Sequence, residues 1–281
     1  MKIYFYVLIF CVCFMESSYA QNQYKFFDIR PNKGKIFVSF GWNRGYFTNS
    51  KINFKGEDYE FSLYEVKATD RQSPFDFGLY FHPETFTIPQ TNFKIGYFFH
   101  DNYTVSFNID HMKYVMVQNQ TARISGFIDG TNTAYNGTYD NDALILSEDF
   151  LTFEHTNGLN YLSIELNRHD DILKKLHLEN KWIEISCSEG FSVGLITPKT
   201  DATLLGKPRN DVFYLAGYGL GANADVSITF LQYLYFQFGL KGGFIHLPHV
   251  KTTASSLDKA NQSFWFFEHI FSFGLKVRVF K

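Results

Sequence analysis

The sequence has little cysteine, no surplus of positive charge and no long apolar run beyond its first residues. It contains three cysteines, two of them within the first 20 residues, so Cys187 has no partner for a disulfide in the rest of the chain. The formal net charge is −2, which leaves no basic surplus to neutralise the phosphates of a nucleic acid. After Met15 no run of apolar residues approaches the roughly 20 that a membrane-spanning helix needs. These absences exclude a disulfide-stapled domain, a nucleic-acid-binding protein and a helical membrane protein.

The first 20 residues have the layout of a secretory signal peptide. Lys2 precedes an apolar run from Ile3 to Met15, and small residues follow up to Ala20. We therefore expect a signal peptide over 1–20 that is removed after Ala20. The mature chain, 21–281, contains no linker or internal repeat, so it is expected to form one domain.

Aromatic residues are abundant, at 19%, yet the mean hydropathy is only −0.17. This combination arises when apolar and polar residues alternate, as they do in β-strands that have one apolar face. In the closing stretch FWFFEHIFSFGLKVRVFK, the odd positions from Phe267 onward are nearly all apolar, and the even positions are largely polar. The same alternation predicts eight strands, at 34–47, 91–99, 103–117, 150–168, 180–198, 211–221, 225–247 and 264–281.

The links between these segments alternate in length. The long ones are 48–90, 118–149, 199–210 and 248–262. The short or moderate ones are 100–102, 169–179 and 222–224. Short turns at one end and long loops at the other are typical of outer-membrane barrels, whereas a β-sandwich has no such asymmetry. The sequence therefore predicts an all-β fold: a single antiparallel transmembrane β-barrel of eight strands, with short periplasmic turns and long extracellular loops.

The first and second long links carry different patterns. Residues 52–66 alternate again, and we interpret them as an extracellular hairpin that extends the barrel wall. If this stretch spanned the membrane with a further partner, the barrel would have ten strands instead. Residues 118–149 are rich in Asn, Thr, Gly and Asp, which is typical of a surface loop.

The last strand resembles the carboxy-terminal strand by which outer-membrane barrels are recognised for assembly, although Lys281 follows the terminal aromatic, Phe280. With the signal peptide and the strand pattern, the mature chain resembles outer-membrane β-barrel proteins of the Bacteroidota type. The resemblance implies location in the outer membrane of a Gram-negative cell, where outer-membrane lipid or lipopolysaccharide surrounds the barrel. It also implies the barrel-assembly machinery as a partner during biogenesis and the extracellular loops as the surface for a protein partner.

If the apolar faces point to lipid, several charged side chains point into the barrel. A closed lumen tolerates charges when opposite signs pair, so we predict a network of ion pairs. The residues assigned to this lumen network are Lys94, Glu165, Glu184, Lys241, Glu268, Lys276 and Arg278.

A few polar residues are candidates for chemistry. The stretch HTNGL is similar to the His-x-Ser-Asn motif of outer-membrane lipid A deacylase barrels, but only His155 and Asn157 match, and the serine is missing. Thr156 lies beside His155, and Asp110 with His111 is a second candidate pair. In such a family a histidine, a hydroxyl and a carboxylate converge at the outer rim.

No histidine or cysteine spacing supplies the three or four convergent ligands of a metal site, and we expect no cofactor. Two functions remain at this point. The first is a non-enzymatic outer-membrane barrel with an envelope or partner-binding role. The alternative is a lipid-modifying enzyme, an acyl hydrolase similar to lipid A deacylases.

Overall fold

The structure is a computed structural model that describes residues 31–82, 84–85, 88–178, 182–210 and 212–279. The expected signal peptide and the closing Lys281 lie outside the described residues. No described helix is long and apolar enough to cross a membrane.

Nearly all regular structure in the described residues is β-strand. In chain order the elements are β1 (Lys35–Phe47), β2 (Ser50–Lys55), β3 (Tyr59–Val66), β4 (Ala68–Thr69), α1 (Phe77–Phe81), β5 (Thr91–His100), β6 (Tyr103–Met116), β7 (Thr121–Ile128), β8 (Gly137–Ile145), β9 (Leu151–Asp171), α2 (Ile172–Lys175), β10 (Ile183–Pro198), β11 (Asp201–Leu204), β12 (Gly217–Phe230), β13 (Leu234–Lys251) and β14 (Lys259–Arg278).

Eight of these strands close into a ring. Their order around the ring is β1, β5, β6, β9, β10, β12, β13 and β14, and every neighbouring pair is antiparallel. Strand β14 pairs back onto β1 from Lys35 opposite Arg278 to Phe47 opposite Phe266. Closure leaves no open edge in the ring, which a sheet in lipid requires. The prediction of an eight-stranded antiparallel barrel is confirmed.

The long links all leave from one end of the ring, which we call the upper end. They are largely folded. The hairpin β2–β3 pairs with the upper part of β14, then β3 pairs with β7 and β7 with β8. Two shorter strands continue the ring wall, β4 on β6 and β11 on β9. The interpretation of 52–66 as a hairpin that extends the wall matches this pairing. Residues 118–149 lie outside the ring as expected, but they contain β7 and β8 instead of an irregular loop.

One turn at the lower end lies elsewhere than expected. Residues 222–224 are in the middle of β12 and pair with 240–242 of β13. The turn is at 231–233, where Leu231 and Gln232 have φ of 52° and 67°. Packing is tight beside this stretch, since a Cβ on Gly243, which lies opposite Gly221, would be 2.2 Å from the Leu220 carbonyl oxygen.

The lower part of the ring is apolar outside and largely polar inside, where Phe37, Phe98 and Tyr235 form a small buried apolar cluster. We call its outward apolar surface the belt. Outward side chains of the belt are well exposed, and Phe191 and Phe271 reach 77% and 63%. Members from the eight strands include Val38, Ile95, Phe107, Ile164, Val193, Ile228, Phe236 and Phe273. Together with the polar interior, this is the pattern of a transmembrane barrel.

The polarity reverses towards the upper end, within single strands. On β6 the inward residues are Ser106, Asn108 and Asp110 below, but Met112, Tyr114 and Met116 above. Because side chains alternate with a period of two, the reversal does not require the strand to change face. The strand keeps one face inward, and the environment of that face changes from polar to apolar.

We call the upper region the cap; it comprises β2, β3, β4, β7, β8, β11 and the upper ends of the ring strands, including 112–116, 151–159, 245–251 and 259–266. Its interior is one apolar core between two layers of sheet. Phe54 on β2, for example, packs edge-on against Phe153 on β9 with ring centroids 5.8 Å apart. Other fully buried members are Ile52, Leu63, Ile124, Met112, Leu247 and Phe264.

Candidate functional site

Lysine and carboxylate side chains meet across the middle of the lumen. The Lys94 Nζ lies 2.5 Å from the Glu165 Oε1, and the Lys241 Nζ lies 2.6 Å from the Asp110 Oδ2. The second oxygen of Glu165 is 3.5 Å from the Lys241 Nζ, which joins the two pairs. Charges contributed by four strands therefore form one connected network. Buried charges are tolerated when they are paired in this way.

Asparagine side chains donate further hydrogen bonds to these carboxylates. Asn167 donates to Glu165 at 2.6 Å, and Asn92 donates to Asp110 at 2.5 Å. Asn43 in turn donates to the Asn92 Oδ1 at 2.8 Å. These hydrogen bonds extend the network from β9 to β1 and fix the orientation of each acid.

The other predicted lumen charges are placed differently. Lys276 pairs with Glu184 at 2.9 Å near the lower end, apart from the central network. Arg278 donates to the backbone carbonyls of Lys33 and Pro31 at the lower rim. Glu268 is fully buried opposite Lys241 on the neighbouring strand, yet its carboxylate accepts no hydrogen bond from a described residue.

Asp110 and His111 do not act as a pair, because adjacent residues of a strand face opposite sides. Asp110 belongs to the lumen network. His111 is outside, where its Nδ1 lies 2.7 Å from the Asn160 Oδ1. The two side chains therefore do not meet a common hydroxyl.

His155 lies inside the cap, on the part of β9 above the belt, and it is fully buried. Its Nδ1 lies 2.9 Å from the Thr200 Oγ1 and its Nε2 lies 3.5 Å from the Gln262 Oε1. The Gln262 amide donates to Ser50 and Tyr114, so the polar groups in this core are mutually satisfied. Burial lowers the pKa of His155 to about 4, which keeps the ring neutral at ordinary pH.

Thr156 and Asn157 occupy a bulge that turns them away from His155. The pairing of β6 with β9 passes from Met112 opposite Leu159 to Tyr114 opposite His155, so β9 carries two extra residues here. The Thr156 hydroxyl donates to Glu154 on the outer surface, and Asn157 is exposed. Among the described residues, His155 hydrogen-bonds to a threonine hydroxyl and a glutamine amide but to no carboxylate, so the deacylase-like arrangement is not present there.

The spaces inside the ring are small. Two lumen cavities have volumes of about 20 and 40 Å³. A water molecule needs about 10–15 Å³ of such space, so these cavities hold a few waters and no larger solute. Among the described residues no group of three or more histidine, cysteine, aspartate or glutamate side chains could hold a metal ion.

Several network members are absent from the sequence-based assignment. Asp110, Asn92 and Asp225 face the lumen, where Asp225 accepts from Asn223 at 2.6 Å. The alternation of β6 already places Asp110 on the polar face, beside Ser106 and Asn108. Its placement next to His111 suggested chemistry, but the period of two was the better guide.

Comparison with known proteins gives similarity of structure only. No protein-family model and no curated protein matches the sequence. The outer membrane protein OprG from Pseudomonas aeruginosa is 8% identical, with 89% of this chain and 98% of that chain covered and a TM-score of 0.38. The outer membrane protein AlkL is 12% identical, with 93% and 98% covered and a TM-score of 0.38. Neisserial surface protein A is 8% identical, with 88% and 98% covered and a TM-score of 0.34. These values assign no activity.

Proposed function

We propose that this protein is an outer-membrane barrel that anchors a folded cap at the cell surface and serves a non-enzymatic, structural or partner-binding role. The observation that carries the proposal is the reversal of polarity between belt and cap. The belt exposes apolar side chains that suit hydrocarbon, and the cap encloses its apolar residues and exposes polar ones that suit water. One part is thus built for the membrane and the other for an aqueous compartment.

The interior supports an anchor better than a channel. The lumen is crossed by the network of Lys94, Glu165, Lys241 and Asp110, and the apolar core of the cap lies directly above it. An eight-stranded barrel leaves room for little besides its own side chains. The imidazole of His155 is buried within the core, so a lipid ester has no access to it.

The outer face of the cap has a groove whose lining is both polar and apolar. This groove, of about 510 Å³, lies where the β2–β3 hairpin meets β14 and the end of β13. Its lining combines small polar side chains with charges of both signs and includes Asn53, Lys55, Glu60, Ser62, Ser125, His249, Lys259 and Asn261. A hydrophilic partner suits these polar and charged side chains better than a hydrophobic partner does.

Cysteine labelling on whole cells tests the arrangement in the membrane. In a Cys187→Ser background, Asp140→Cys places a thiol on exposed β8, and Lys175→Cys places one on α2 at the opposite end. We expect a membrane-impermeant maleimide to label the first on intact cells and the second only after the envelope is opened. Labelling of Lys175→Cys alone on intact cells would invert the orientation and remove the cap from the cell surface.

Two further measurements distinguish the proposed anchor from a channel and from an acyl hydrolase. The purified barrel in a planar bilayer is expected to give no stable conductance steps, because the lumen is filled. Mass spectra of lipid A from cells with and without the gene are expected to be identical. Loss of an acyl chain that depends on the gene would favour the acyl hydrolase instead.

A further inference from the structure

The barrel wall is incomplete beside the upper end of β1. Strand β5 begins at Thr91, opposite Trp42, whereas β1 continues to Phe47 with β14 on one side only. On the open side, Asp70 and Gln90, which lie in no described strand, contact β1 instead. Asn43 N–H donates to the Gln90 carbonyl at 3.3 Å, and Gly45 N–H donates to the Asp70 carboxylate at 3.2 Å. Above Trp42, contacts from Asp70 and Gln90 therefore replace a neighbouring strand on this side of β1.

A cleft of about 350 Å³ lies against this part of the wall. One side is the outward surface of β1, β13 and β14, and the other is the segment around α1. Trp42 is covered there by Tyr80 and Phe81, with ring centroids 5.7 and 5.2 Å away. The apolar lining of the cleft includes Trp42, Phe75, Tyr80, Phe81, Phe238 and Phe271. Since Phe238 and Phe271 also belong to the belt, the cleft is continuous with the surface that faces lipid.

Hydrogen-bonding groups without partners lie at the inner end of this cleft. Gln90 lines it and is only 2% exposed, yet neither its amide nitrogen nor its amide oxygen makes a hydrogen bond with a described residue. The amide is near the Asp70 carboxylate without meeting hydrogen-bond geometry. The Trp42 Nε1–H is buried and unpaired as well. Unpaired buried polar groups are costly, and each calls for a partner.

A cation completes the set. Arg44 follows Trp42 on the outward face of β1, opposite His269 of β14, and lines the same cleft. Among the described residues Arg44 forms no ion pair within 4.0 Å, and Asp70 interacts with it only from a greater distance. An arginine on the lipid side of a barrel is tolerated near the interface, where its guanidinium can bind a phosphate. Tyr46 and Trp265, both well exposed, mark that interface just above.

We propose that this cleft binds a membrane lipid whose phosphorylated head group carries a net negative charge. The head group lies at Arg44, where the Trp42 Nε1–H and the Gln90 amide donate to its oxygens. One acyl chain follows Phe238 and Phe271 along the belt. The ligand thus supplies both a counter-charge for Arg44 and partners for the two unpaired donors.

Quenching of Trp42 fluorescence by brominated lipids tests the proposal. The chain has three tryptophans, so Trp182→Phe and Trp265→Phe leave Trp42 as the sole emitter. The protein is placed in phosphatidylcholine vesicles that contain either phosphatidylglycerol or phosphatidylcholine with brominated acyl chains. We expect half-maximal quenching at an about tenfold lower mole fraction of the brominated phosphatidylglycerol, as charge-assisted hydrogen bonds imply.

Substitutions test which residues cause the preference for phosphatidylglycerol. Arg44→Gln should abolish it, and Gln90→Leu should weaken it severalfold. The matched control is Arg168→Gln, which removes an exposed arginine at the lower end that already pairs with Asp170, and it should retain the full preference. Heat-modifiable migration on a gel reports folding; if Arg44→Gln does not fold, Gln90→Leu decides.

Two results would overturn the proposal. Equal quenching by both brominated lipids would make the cleft an ordinary boundary-lipid contact. A preference for phosphatidylglycerol that survives both Arg44→Gln and Gln90→Leu would place the head group elsewhere. Neither result depends on whether the cap binds a partner.

Discussion

The belt and the cap are built from the same strands, yet they bury opposite kinds of side chain. On β14, Phe271 points outward and is 63% exposed, whereas Phe264 points inward and is 2% exposed. Between them, Glu268 marks the point where the inward face changes from apolar to charged. The comparison shows that what lies outside the wall decides which face must be apolar. Hydrocarbon requires it outside, and water requires it inside.

The largest expected effect comes from the same substitution, Phe to Ala, made once in the cap and once in the belt. Phe264→Ala should lower the free energy of unfolding of the cap by about 3–5 kcal/mol, because it leaves a cavity in a packed core. Phe271→Ala removes the same ring from the belt and should cost little in detergent. Protease resistance of the cap and urea unfolding in micelles measure the loss of stability in each variant. Equal losses would mean that the belt is packed like a core.

The lumen network offers a second test of the polar interior. Lys241→Met removes the cation between Asp110 and Glu165, which are both almost fully buried, and should cost about 3–5 kcal/mol. Adding Asp110→Asn should restore part of that loss, since one unpaired charge is then gone. Urea unfolding of the single and double variants measures the coupling. A lumen that tolerates Lys241→Met without loss would be wetter than the network implies.

The cap should also respond to acid through a buried histidine in its core. The pKa of His155 falls from 6.5 to about 4 on folding, so the unfolded chain takes up a proton that the folded cap does not. Stability from this group is complete above pH 6.5 and is lost as the pH falls towards 4, by about 3 kcal/mol. Limited proteolysis of the cap between pH 7 and 4 follows the loss.

His155→Gln should flatten that dependence, because glutamine does not titrate in this range. The matched control is His82→Gln, an exposed histidine outside the core, which should leave the pH dependence unchanged. A cap whose acid sensitivity survives His155→Gln would owe it to other groups.

The smallest expected effect concerns charge on the outer surface. Val193→Lys on the belt should cost about 2 kcal/mol in a bilayer, since a cation then faces hydrocarbon. Asn261→Lys, on the outward face of the cap, should change stability by less than about 0.5 kcal/mol. Folding yield into lipid vesicles compares the pair. Similar yields would indicate that the belt is not in contact with lipid.

Part of the site could be predicted from alternation alone. Lys94, Glu165 and Lys241 were assigned to the lumen because they lie opposite apolar residues on strands, and they meet there. Their exact partners could not be predicted, because the stagger of neighbouring strands decides which charges lie at the same height. Asp110 pairs with Lys241, 131 residues away in the sequence.

The candidate chemistry at His155 shows the opposite limit. The motif HTNGL places three polar residues close in sequence, but the bulge in β9 separates them in space, and the strand continues into an apolar core. A local pattern cannot report which layer will cover it.

By itself, the sequence determined most strands of the ring and the side to which their residues point, and it favoured eight strands over ten, because a period of two is a local property of the chain. The tertiary structure alone decided that β14 leaves β1 at Phe266 and joins β2, and that the long links fold into a second layer. The physical reason is that a strand with one apolar face has the same alternating sequence whether that face contacts lipid or another sheet. Only the neighbours of that face distinguish the two.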